Sequence, residues 1–91
     1  MHEISYAGRS FVTSDEVARV LIEYAAALAN ANRAATIDVP ALGLETGDDA
    51  LQILVGPASQ LMSSPVESLG VIVGGERFVA AIRERIENLE P

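Results

Sequence analysis

The reactive side chains of this sequence are few: one histidine, no cysteine, six arginines without a lysine, and 13 acidic residues in 91. His2 stands at the N-terminus, where a general base or metal ligand is poorly held, and it reads as an ordinary terminal residue. A Ser-His-Asp arrangement would have to be built with His2, and disulfides, thiolate metal sites and thiol catalysis are excluded. A zinc site would rest on carboxylates, which is uncommon, so no metal and no cofactor is expected.

Three residues are the candidates for holding a ligand: Ser59, Gln60 and Arg77. Gly56-Pro57-Ala58-Ser59-Gln60 places small and hydrogen-bonding groups directly after an apolar run, a common location for ligand contacts. The second glycine of a Gly-x-Ser-x-Gly elbow is missing, so Ser59 reads as a helix cap rather than a nucleophile. Met62 is placed to line a groove beside them.

Gly70-Val-Ile-Val-Gly74-Gly75 before a helix resembles a phosphate-cradling loop, because glycines there let backbone amides approach an anion. Glu76 and Arg77 replace the Lys and Ser/Thr such a loop needs, and the Glu76 carboxylate competes for the same amides. The glycines therefore read as the points where a buried strand turns into a helix. Glu45, Asp48 and Asp49 lack the oxygen spacing of a calcium loop and read as a solvated turn. Arg77, Arg83 and Arg85 are interleaved with Glu76, Glu84 and Glu87, which cancels any basic patch.

The longest element able to position these groups is an amphipathic helix. Thr13 and Glu16 form a capping box, Val12 and Val17 a hydrophobic staple, and Asp15 and Glu16 put negative charge in the first turn. Val17, Leu21, Tyr24 and Leu28 recur on one face, with Ala18, Ile22, Ala25 and Ala29 beside them. The helix is expected to stop near Asn32, a residue that tolerates a left-handed cap.

Before the helix, alternation at Ile4 and Tyr6, a turn at Gly8-Arg9, and Phe11-Val12 predict a short hairpin. After it, Ile37 and Val39 mark a strand ending at Pro40, and Leu51, Ile53 and Val55 a second, more buried strand paired with it. A connection as long as Gly56 to Gly75 is unusual without structure of its own. Ala58 to Met62 is expected to make a helical turn, broken by Ser63-Ser64-Pro65, and Val71 to Val73 a short buried strand. From Glu76, the stripe Phe78, Val79, Ile82, Ile86 and Leu89 predicts a second helix, with Glu87 and Glu90 opposing the dipole at its fraying end.

The expected order is β-β-α-β-β-(β)-α in one domain over residues 1–91. That is an α+β two-layer sandwich, a mostly antiparallel sheet of four or five short strands with two helices on one face.

A chain this small buries only about 60% of its unfolded surface. Yet 49% of the residues are hydrophobic and the mean hydropathy is +0.28. A second copy covering the excess is the simplest expectation, which makes a homodimer the expected partner arrangement. The net charge of −7 disfavours nucleic acid. No apolar run approaches the roughly 20 residues of a membrane helix, and nothing at the N-terminus reads as a signal peptide, so the expected place is the cytoplasm without a membrane partner. The leading expectation is a non-enzymatic, self-associating interaction module. The alternatives are a small-molecule-binding domain using the Gly56 to Gly75 segment, and an acidic antitoxin, immunity protein or inhibitor binding a basic partner.

Overall fold

The computed structural model describes residues 1–42, 51–68 and 70–89, so the expectations for the acidic turn from Glu45 to Asp49 and for Glu90 lie outside the described residues. Strands β1 (His2–Tyr6) and β2 (Arg9–Thr13) form an antiparallel hairpin in which Tyr6 pairs with Arg9 and His2 with Thr13. Its turn residues are Ala7 and Gly8, with φ of 53° and 80°. Positive φ at both is the geometry whose twist matches the flanking strands.

Helix α1 (Asp15–Ala31) starts one residue later than the capping box predicts. Ser14 is the N-cap, and its Oγ accepts the Val17 N–H at 3.2 Å. Thr13 instead ends β2: its side chain is buried, and its hydroxyl donates to the Pro40 carbonyl at 2.7 Å. The ladder causes the shift, because pairing with His2 keeps Thr13 extended and turned inward, leaving the next hydroxyl to cap. Asn32 closes the helix in the left-handed conformation, φ 55° and ψ 45°, as its residue type suggests. Ser14→Ala should therefore cost about 1 kcal/mol. Glu16→Ala, which removes only a charge near the dipole, should cost about 0.3–0.5 kcal/mol. Urea unfolding of the two variants checks the ordering, and the reverse order would return the cap to Thr13 and Glu16.

Strands β3 (Ala35–Val39) and β4 (Leu51–Val55) pair antiparallel as a separate two-stranded sheet, with Ile37 opposite Ile53. Both bury alternate residues, Ile37, Val39, Ile53 and Val55, and both turn polar side chains outward at Thr36, Asp38 and Gln52. The expectation that β4 is the more buried is overturned: Leu54 lies on the outer parity and is 60% exposed.

The element hidden after Gly56 is β5 (Leu61–Pro65), which pairs antiparallel with β1, Tyr6 opposite Leu61 and His2 opposite Pro65. Strand order in this sheet is β2-β1-β5, so β5 lies on an edge, where Pro65 is tolerated. Neither a helical turn over Ala58 to Met62 nor a strand at Val71 to Val73 forms. Leu-Met-Ser-Ser-Pro has no period of its own and is strand because β1 offers a free edge. Val71 and Val73 pair with no described strand and are 82% and 69% exposed.

The result is an α+β fold with order β-β-α-β-β-β-α, its five strands divided between two antiparallel sheets. Val17, Leu21, Tyr24 and Leu28 of α1 join Ile4, Ile37, Val39, Ile53 and Val55 in one core. Helix α2 (Gly75–Leu89) lies beside α1 and buries only Ile82 completely. A Cβ on Gly75 would stand 3.5 Å from Val17 Cγ2, and Arg83 Nη1 reaches Glu23 Oε2 at 3.0 Å. Both helices therefore run in the same direction, and α2 takes the flank that carries Val20 and Glu23. The other flank faces β5 instead: Ala18 and Ile22 border a cleft with His2 and Ser63.

Candidate functional site

The end of the molecule at the β1–β2 turn holds an open groove of about 790 Å³. It is built by the backbone path from β4 into β5. The Ser59 N–H donates to the Gly56 carbonyl at 3.0 Å, and the Gly56 N–H donates to Ser59 Oγ at 2.9 Å. Two bonds thus close a tight turn over Pro57 and Ala58. Gly56 suits the close approach there, since a Cβ would lie 3.1 Å from the Ala34 Cβ and push it aside. Tyr6 ties the sheets together: its hydroxyl donates to the Leu54 carbonyl of β4 and lies 3.1 Å from Ser59 Oγ.

Leu54 and Met62, 60% and 67% exposed, stand on this groove with Tyr6, Pro57 and Leu61. None of the 13 residues lining it is charged. Of the candidate ligand residues, Ser59 and Gln60 line the groove. Arg77 does not: it is exposed in the first turn of α2, against the N-terminal end of α1. The groove lies beyond the C-terminal end of α1, where Gly56 meets Ala34, and the 17 residues of α1 separate the two places by about 25 Å. Ser59 caps no helix. Its Oγ accepts from Gly56 and meets Tyr6, and His2 lies at the far end of β1. Tyr6 and Leu54 went unrecognised because their roles depend on the β4–β5 turn; the period of two that puts Leu51, Ile53 and Val55 inward does put Leu54 outward.

A second constellation lies at the opposite end. His2 is not a loose terminal residue, since β1 holds it between Thr13 and Pro65. Its Nδ1 donates to Asp15 Oδ1 at 2.6 Å, and the Met1 ammonium reaches the same oxygen at 2.9 Å. Hydrogen bonding from the ammonium, and then from His2, holds the Asp15 carboxyl below its usual range, against a smaller opposing effect of burial. Ser63 borders the same cleft, which resembles the set of groups a serine nucleophile needs. The assembly is incomplete, because among the described residues Ser63 makes no hydrogen bond to His2, and the orienting carboxylate is shared with the ammonium.

The depressed Asp15 carboxyl sets a pH dependence. A group whose folded pKa lies below its unfolded value stabilises the fold above the unfolded value, here 3.8, and that contribution is lost as pH falls through the folded value. Wild type should unfold at higher urea than Asp15→Asn at pH 7, with the two curves converging once the pH drops below about 4. A gap that persists unchanged at pH 2 would remove the Asp15 charge as its cause.

No group of three metal-binding side chains converges among the described residues, and no described helix is long and apolar enough to cross a membrane. No protein-family model, curated protein or solved structure matches the chain.

Proposed function

We propose that this chain is a non-enzymatic interaction module that self-associates through its groove end, the homodimer being the smallest assembly. The observation that carries the reading is the placement of Leu54 and Met62, two large exposed apolar side chains on one uncharged groove. Full burial of such a side chain is worth about 1.5–3 kcal/mol, so covering the exposed parts of both supplies roughly 2–4 kcal/mol toward association. Away from Leu54 and Met62 the outer sheet faces offer less, since Glu3, Ser10, Thr36, Asp38 and Gln52 make them mainly polar.

Leu54→Asp combined with Met62→Asp should convert the assembly to a monomer of 9.6 kDa by light scattering at hundreds of micromolar. The unfolding midpoint should change little, because both positions are on the surface. A double variant that keeps the wild-type mass would contradict the reading.

A small-molecule site in the same groove is the second reading, favoured by its volume and by Gln60 at its edge. Ser59 is already engaged by Gly56 and Tyr6, which leaves fewer polar groups to orient a ligand. A metabolite screen without any thermal shift would count against it. An acidic inhibitor is favoured less, because the described carboxylates are spread over β1, α1, β3 and α2.

A further inference from the structure

His2 has no task in the groove, and the fold gives it the neighbours that a metal ion needs. Three donor groups from two elements meet at one point. His2 Nδ1 stands 2.6 Å from Asp15 Oδ1, and the Met1 α-amine stands 2.9 Å from the same oxygen. All three are placed by the backbone: β1 fixes His2 between Thr13 and Pro65, the Met1 carbonyl accepts the Val66 N–H at 3.0 Å, and Asp15 follows the Ser14 cap in the first turn of α1. The donors are thus ordered before any ion arrives, which lowers the ordering cost of binding. Side chains alone do not make up the set, because the third donor is the chain's own amine.

The spacings select a coordination geometry. Donors bound about 2.0 Å from an ion stand about 2.8 Å apart at a right angle and about 3.3 Å apart at the tetrahedral angle. The 2.6 and 2.9 Å found here bracket the right angle. Nitrogen and oxygen donors at right angles suit tetragonal Cu(II), which also ranks highest among the divalent first-row ions in affinity for such ligands. A chain of net charge −7 favours a dication as well.

We infer that, in the chain whose Met1 amine is free, the Met1 nitrogen, His2 Nδ1 and Asp15 Oδ1 form a binding site for Cu(II). The ion takes the place of the hydrogen bonds now made to Asp15. The ammonium releases one proton to solvent, while the neutral imidazole keeps its proton by moving it from Nδ1 to Nε2. The cleft of about 260 Å³ that His2 and Asp15 border with Ser63 and Ala18 has room for a water as the fourth ligand. The Asp15 side chain is 57% exposed, so the ion exchanges with solution and has to be supplied. The site is independent of the groove and of self-association.

The absence of lysine makes the test selective, since acetylation modifies the Met1 amine and no other amine. The full chain, stripped with EDTA and dialysed, is titrated with Cu(II) chloride by calorimetry beside the acetylated chain, His2→Gln and Asp15→Asn, each verified as folded by circular dichroism. Wild type should bind one ion per chain, with nitrogen donors visible by electron paramagnetic resonance. Acetylation and His2→Gln should each weaken binding about 100-fold, and Asp15→Asn about tenfold. Cu(II) should also raise the wild-type unfolding midpoint, because the three donors converge only in the folded chain.

An acetylated chain or a His2→Gln variant that binds like wild type would overturn the site. So would an Asp15→Asn variant of wild-type affinity, which would reduce the site to the Met-His end that any peptide offers. Should Asp15→Asn fail to fold, the midpoint decides: a wild type whose unfolding is not raised by Cu(II) overturns the folded site, and a rise that acetylation abolishes supports it.

Discussion

Leu21→Ala should lower the stability of the chain by about 3 kcal/mol, within the 2–5 kcal/mol that truncating a buried leucine costs. Leu21 is wholly buried on the face of α1 where Val17, Tyr24 and Leu28 meet both sheets. Removing its branched end loses transfer free energy and leaves a void that the two sheets cannot both close upon. For a domain of this length the loss corresponds to roughly 12–24 °C in the unfolding midpoint. Total stability of small domains is about 5–15 kcal/mol, so this single truncation takes a large fraction of it. Thermal and urea unfolding measure the change. A loss below about 1 kcal/mol would mean that α1 is not the element on which both sheets pack.

Ile82→Ala should be the second largest, costing about 2–4 kcal/mol, with an effect of a different kind. Ile82 is the one buried residue of α2 among those described; Phe78, Val79, Ile86 and Leu89 are only half-buried. Helix α2 thus docks on α1 with Ile82 as its one fully buried anchor and Phe78, Val79, Ile86 and Leu89 packed half-buried around it, while the exposed Arg83–Glu23 pair contributes little in water. The truncation should therefore release α2 before the sheets unfold. Amide exchange in α2 should accelerate far more than in β3 and β4, the signature of local rather than global opening. Equal acceleration everywhere would show that α2 is part of the same cooperative unit as α1.

Much of the fold is legible in local pattern. Leu21 and its neighbours announce α1 by their spacing, Asn32 ends it by its tolerance of positive φ, and Ile37-Val39 with Leu51-Ile53-Val55 announce a strand pair by alternation. What fails does so for nonlocal reasons. Leu61 to Pro65 becomes a strand only because β1, nearly 60 residues earlier, has an unpaired edge. Val71 to Val73 has the composition of a buried strand, yet it pairs with no described strand and stays outside, flanked by Gly70 and Gly74 at positive φ. The cap moves from Thr13 to Ser14 because the hairpin register claims Thr13, a constraint that no capping motif carries.

The site divides in the same way. Ser59 and Gln60 are found because they follow a strand, but Ser59 serves the turn rather than a helix. Arg77 stands 17 residues beyond Gln60, and β5 and the chain after it return to the N-terminal end of α1 before α2 begins. Tyr6 and Leu54 emerge only when the β4–β5 turn brings β4 over the end of β1. The excess hydrophobic content finds a location too: it is concentrated at Leu54 and Met62, on outer sheet faces at one end, and at Val71 and Val73 on the other.

The central claim is that these exposed residues are covered by further copies of the same chain. Native mass spectrometry of freshly purified wild type, taken across a dilution series from hundreds of micromolar downward, tests it most directly. The spectrum should show ions at multiples of 9.6 kDa whose share falls on dilution, with no added mass from a retained ligand. A single species at 9.6 kDa throughout the series would contradict it.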